Sequence, residues 1–147
     1  MEYEVIRCIN KEQLKRIQDE FNRSYNPDNL MLVKANGIEI GFGVVFFICG
    51  HLTIEYYLFK EFQHQGYGSM FVNVLSDSIS DKYSLYDSLY LLIHKDNLSS
   101  IKVAQKCGYT IDSNDWEFRC MISDDMPEYY LYSKNNEYYK ERKLKKI

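Results

Sequence analysis

Gln63-His64-Gln65-Gly66-Tyr67-Gly68-Ser69 joins an apolar, strand-like segment to an amphipathic helix, and its reading decides the fold. Glycines at 66 and 68 let the backbone turn tightly and approach a ligand with no Cβ in between. The free N–H groups of the helix's first turn then point at that ligand, and the helix dipole favours negative charge there. Main chain alone makes a pyrophosphate cradle over residues 64–69. A bare strand-to-helix turn would use the same glycines, so the junction needs a second signal.

That signal is Asn97-Leu98-Ser99-Ser100-Ile101-Lys102-Val103-Ala104-Gln105-Lys106-Cys107-Gly108-Tyr109, a short helix opened by cap-type residues and stopped at a glycine. Together the two segments resemble the GNAT superfamily of acetyl-CoA-dependent N-acetyltransferases. Gln63, Gly66 and Gly68 match its Gln/Arg-x-x-Gly-x-Gly/Ala signature. Asn97, Ser100, Lys106, Gly108 and Tyr109 match the run that follows its fifth strand. The resemblance spans residues 50–111 and is topological elsewhere. It is somewhat similar to the ribosomal-protein N-terminal acetyltransferase branch.

The resemblance implies an α/β (α+β) fold: a mixed central sheet of six to seven strands, splayed between strands four and five and flanked by three to four helices. Acetyl-CoA, as co-substrate and with no metal, would slot into the splay. Its pantetheine arm would pair like an added strand with Tyr56, Tyr57 and Leu58. Its pyrophosphate would lie on the amides of His64, Gln65, Gly66, Tyr67, Gly68 and Ser69, and Gln63, which stands where many members carry arginine, would belong to the same cofactor site. The side chain of Asn97 would lie near the pantetheine, with Ser100 beside it. Core packing is the plain alternative for the strand residues, and capping for Asn97; the two roles of Asn97 are compatible.

Acetyl transfer needs a free amine, hence a base, and gains from a proton donor to the departing thiolate. The tyrosine that many family members carry seven residues after the asparagine is here Ala104, so proton delivery is assigned to Ser100 or to water. Glu55, a carboxylate on an otherwise apolar strand, is the candidate base, with burial expected to raise its pKa. A structural or exposed Glu55 is the competing reading. The expected function is transfer of an acetyl group from acetyl-CoA to a primary amine by direct attack. A non-catalytic acyl-CoA-binding or sensor module is the alternative.

The chain's 147 residues are enough for one domain with a sizeable core, expected over 1–133, followed by a basic tail at 134–147. The net charge of −3 hides an asymmetry, because the tail carries +4 and the first 133 residues carry −7. An acidic body favours a cationic amine, either a small molecule or a protein amino group. Six acidic residues in 112–128 (Asp112, Asp115, Glu117, Asp124, Asp125 and Glu128) are expected at the acceptor mouth or in a solvated loop. A solvated terminal helix is the favoured reading of the tail, ahead of a nucleic-acid contact.

Cys8, Cys49, Cys107 and Cys120 are widely separated and form no metal-ligand spacing with the histidines, which fits reduced thiols in a cytoplasmic protein. The charged first fifteen residues do not read as a signal peptide. The apolar run from Phe42 to Cys49 is far short of the ~20 residues that cross a bilayer, so no membrane role is expected. Monomer and homodimer are both compatible with the sequence.

Periodicity predicts strands at 4–9, 30–35, 38–48, 52–59, 89–93, 116–122 and 128–133. Helices are predicted at 11–23, 66–80 and 98–106. Asn36-Gly37 reads as a tight hairpin, and Gly41 and Gly43 as a bulge or a close approach.

Overall fold

Alternate residues of Leu30-Met31-Leu32-Val33 belong to two separate cores, and this period-two pattern organises the molecule. Leu30 and Leu32 join Ile17, Phe42 and Phe59 on one face of the sheet. Met31 and Val33 join Ile54, Phe71, Leu75 and Leu91 on the other. Side chains of a strand point alternately to opposite faces, so a strand covered on both sides is apolar throughout.

The computed structural model describes residues 2–7, 9–48, 50–111 and 128–140. The elements are β1 (Tyr3–Ile6), α1 (Lys11–Phe21), β2 (Leu30–Ala35), β3 (Ile38–Ile48), β4 (His51–Leu58), α2 (Gly68–Lys82), β5 (Ser88–His94), α3 (Leu98–Lys106), β6 (Thr110–Ile111) and β7 (Tyr129–Asn135). They form one seven-stranded sheet in the order β1-β2-β3-β4-β5-β7-β6. Only the β4–β5 pair is parallel; the others are antiparallel. Helix α1 covers one face, and α2 with α3 the other.

Helix α1 opens with a reciprocal capping box between Asn10 and Gln13. It stops at Phe21, two residues before the expected end, because Asn22 turns left-handed with φ 51°. The Asn36-Gly37 hairpin has φ of 49° and 79°, the two positive values a type I′ turn requires. The strand register slips between Val33 and Lys34, opposite Ile40 and Gly41. A Cβ on Gly41 would stand 2.4 Å from the carbonyl oxygen of Tyr57, so that glycine serves both a bulge and a close approach.

Helix α2 begins at Gly68, two residues later than expected, since Gly66 has φ +84° and cannot be helical. Strand β7 runs to Asn135, two residues past the expected strand end. Next to it, the buried Asn136 donates to the carbonyls of Ser80, Tyr83 and Tyr86, fastening the chain to the end of α2. The strand expected at 116–122 lies outside the described residues, as does the acidic stretch except Glu128. The two-residue β6 is too short to carry a sequence period.

Candidate active site

Strands β4 and β5 pair at Thr53–Tyr90 and Ile54–Leu91 and then part. Strand β3 continues to pair with β4 as far as Leu58. Glu55, Tyr56, Tyr57 and Leu58 are therefore held on one side and offer an unpaired edge on the other. Such an edge is a template for an extended ligand.

The glycine loop closes one end of this slot. His64 at φ 60° and Gly66 at φ +84° turn the chain back, and nothing in the protein lies within 4 Å of a Cβ built on Gly66. The Gln63 amide donates to the Leu58 carbonyl at 3.0 Å, tying the loop to the end of β4. That local job needs an amide and no charge. Tyr67, the N-cap of α2, makes no side-chain cap hydrogen bond, which leaves the first-turn amides facing the loop.

A cleft of ≈ 530 Å³ follows the slot and loop, lined by Tyr56, Tyr57, Leu58, Gln63, His64, Gly66, Tyr67, Gly68, Ser69, Asn97 and Ser100. Gln65 is the one expected binding residue outside its wall, with its amide turned to the Glu61 carbonyl. Phe71, Ser99, Val103 and Lys106 complete the wall. Lys106 is its only lysine or arginine among the described residues. The sequence held that lysine inside the second motif, but the spacing did not reveal that it faces the cradle. Gly68 plays a different part from Gly66: a Cβ there would meet Val103 of α3 at 3.0 Å.

A second cavity of ≈ 380 Å³ opens on the other side of the splay, lined by Arg23, Glu55, His94 and Tyr129 among others. The two cavities share four residues: Tyr56, Tyr57, Asn97 and Ser100. Asn97 caps α3 by accepting from the Ser100 amide at 3.3 Å. The Glu55 carboxylate accepts from the Tyr57 hydroxyl at 3.1 Å and faces the Arg23 guanidinium at 3.9 Å. Burial first, and then the neighbouring carboxylate, push the Tyr57 phenol well above its ordinary value.

His94 sits at the rim of this cavity. Its Nδ1 accepts from the Asp96 amide at 3.1 Å, and its Nε2 lies 3.3 Å from a Glu128 oxygen. Both ring nitrogens thus have partners within the protein. Among the described residues, His94, Asp96 and Glu128 form the one cluster with potential metal-ligand atoms mutually within 4.8 Å.

Ala104 is fully buried in the core beneath α3 and presents no group to either cavity. Tyr109 is also packed away, with its hydroxyl 2.7 Å from that of Ser76. Neither position supplies a proton donor to the slot.

A splayed parallel pair and a glycine loop at a helix start thus border one extended cleft, and a second cavity meets it at the splay. The acetyltransferase (GNAT) domain model matches residues 2–110, and the chain belongs to that family. GNAT enzymes use acetyl-CoA and no metal to acetylate amines. A search of curated proteins gave no match.

Among solved structures, the chain is similar to spermidine N-acetyltransferase from Vibrio cholerae in complex with CoA and spermine. The two are 12% identical, with 93% of this chain and 97% of that one covered and a TM-score of 0.67. Aminoglycoside acetyltransferase AAC(6')-Ib in complex with coenzyme A is 11% identical, with coverage of 93% and 96% and a TM-score of 0.68. The ribosomal-protein alpha-N-acetyltransferase RimL is 16% identical, with coverage of 74% and 62% and a TM-score of 0.53. At these identities the likeness is one of fold.

Proposed function

We propose that this protein transfers the acetyl group of acetyl-CoA to a primary amine by direct attack, and that the amine is cationic. The observation that carries the reading is the meeting of the two cavities at Tyr56, Tyr57, Asn97 and Ser100. A thioester laid along the unpaired edge of β4 would reach that point from one side, and an amine from the other.

The residues fit acetyl-CoA by their chemistry. Gly66 leaves open the space a side chain would fill, the loop amides offer donors to phosphate, and Lys106 adds a cation. When bound, acetyl-CoA supplies an activated carbonyl on a thiol leaving group. The protein's own part is to hold and orient. The β4 edge aligns the arm, the loop amides fix the phosphates, and Glu55 takes a proton from the acceptor nitrogen, directly or through water. Tyr57 and Arg23 hold that carboxylate toward the acceptor cavity. The Ser100 hydroxyl is available at the shared wall.

An acidic body and the carboxylates of Glu55 and Glu128 beside the acceptor cavity support a cationic amine, either a small molecule or a protein amino group. Relatives of like fold act on spermidine and on aminoglycosides. The test is a panel of polyamines, aminoglycosides and basic peptides with acetyl-CoA, read by released thiol. Turnover with one class supports the reading. Tight acetyl-CoA binding with no release above the buffer rate favours the acyl-CoA-binding module instead, a reading that the buried Ala104 keeps open.

A further inference from the structure

The geometry points to Tyr56 of β4 as the proton donor to the leaving sulfur, in place of any residue of α3; this rests on the acetyltransferase reading above. Four residues border both cavities, and three of them are poorly suited to the task. The Tyr57 proton is committed to the Glu55 carboxylate at 3.1 Å. Asn97 uses its side-chain oxygen as a helix cap, and a carboxamide is no acid at neutral pH. Ser100 carries an aliphatic alcohol, a far weaker acid than a phenol with its reference pKa of about 10.

Tyr56 remains. Among the described residues its hydroxyl makes one hydrogen bond, a long one of 3.4 Å to the Ser100 carbonyl, a contact readily exchanged for a better acceptor. The ring is braced edge-on against Phe71 at 6.2 Å, so the hydroxyl is aimed by packing. Burial raises the phenol above its ordinary value, so it is protonated at neutral pH and presents a hydrogen-bond donor to negative charge that develops beside it.

Strand geometry supplies the second argument. Glu55 and Tyr56 are consecutive on β4 and therefore project to opposite faces. Glu55 and Tyr57 face Arg23 and the α1 side; Tyr56 faces α2 and α3. Base and acid thus flank the splay from opposite sides, one toward the amine and the other toward the sulfur. As the new N–C bond forms, the C–S bond breaks and its electron pair goes to sulfur. Tyr56 gives its phenolic proton to that sulfur. The tyrosinate recovers a proton from the one shed by the acceptor nitrogen, carried through Glu55 and water.

The decisive variant is Tyr56→Phe, which keeps the ring against Phe71 and removes only the hydroxyl. Its first readout needs no turnover: CoA labelled with ¹³C at the carbon bonded to sulfur is titrated on the protein by NMR. A phenol donating to the thiolate lowers the pH at which bound CoA ionises, so Tyr56→Phe should raise it by about one pH unit or more. Ser100→Ala should move it less. With the best amine of the panel, Tyr56→Phe should lower kcat by ~10²-fold or more, with KM for acetyl-CoA changed less than about threefold. An unchanged thiol titration in Tyr56→Phe, or a larger shift in Ser100→Ala, overturns the assignment. A wild-type protein that binds no labelled CoA overturns the acetyltransferase reading itself, a result distinct from either.

Discussion

Glu55 sits one residue past the last β4–β5 pair, and its surroundings set how it can act. The sequence suggested a desolvated carboxylate. The structure gives one that is about a quarter exposed, hydrogen-bonded to Tyr57 and facing Arg23. In the proposed mechanism a carboxylate so placed takes the proton of the bound amine. Glu55→Gln should therefore lower kcat/KM by ~10²-fold near neutral pH, and recover in part at higher pH, where more acceptor amine is already free. A pH–rate profile identical to wild type would remove Glu55 from the mechanism. At Tyr109 the chemistry is structural. Burial raises its phenol above the ordinary value, while Ser76 opposes this through its hydrogen bond. The unfolded chain ionises near pH 10 and the folded one does not, so the unfolded state then binds fewer protons. Stability present below about pH 10 is lost as the pH rises above it. Tyr109→Phe should cost about 1 kcal/mol at pH 8, since Ser76 loses its buried partner. It should also flatten the alkaline decline without abolishing it, because Tyr56 and Tyr57 are raised as well. Urea midpoints at pH 8 and pH 10.5 measure both effects; parallel declines in the two proteins would refute the second.

At the scale of elements, three glycines of similar appearance do three different jobs. Gly41 lets β3 pass the Tyr57 carbonyl, Gly68 lets α2 pass Val103, and Gly66 turns a loop with nothing in the protein beside it. Gly41→Ala should cost ~2 kcal/mol or more, because the atom it meets is backbone and cannot rotate away. Gly66→Ala should cost only about 1 kcal/mol for its positive φ, yet weaken acetyl-CoA binding at least tenfold. Denaturation and calorimetry separate these effects, and wild-type affinity in Gly66→Ala would reduce the loop to a turn. What the sequence disclosed follows the same division. The Asn36-Gly37 hairpin and the strands it joins were legible because local backbone chemistry and period determine them, whereas the glycine loop needed the second motif beside it. Less visible was the arrival of Arg23 beside Glu55, since it depends on how the chain leaves α1 at Asn22. The two-residue β6 and the part of Lys106 in the cleft wall were hidden for the same reason: each is set by packing between distant segments. The point at which β4 and β5 part was expected from family likeness; no residue in either strand announces it.

Taken whole, the sheet is two antiparallel halves joined by a parallel ladder with only two register pairs, Thr53–Tyr90 and Ile54–Leu91. Helices α2 and α3 reinforce the joint on one face. Beyond Ile54 the halves separate, and a ligand in the slot would add hydrogen bonds along an edge of β4 that β5 no longer pairs. Binding should thus act both as mass action and as local ordering. At a free acetyl-CoA concentration of 100 times Kd, the folded state gains about 2.7 kcal/mol, which for a chain of this size raises Tm by roughly 5–10 °C. Amide hydrogen exchange should slow most over residues 55–58 and 64–70, where the edge and the loop amides acquire partners. It should change little in β1 and β2, which are paired already. The pattern discriminates more sharply than the Tm. A rise in Tm with exchange at 55–58 unaltered would mean that acetyl-CoA is held by the loop alone, its arm outside the splay. In that case the thioester would not reach the wall shared by Tyr56 and Ser100, and the chemistry assigned to that wall would fall with it.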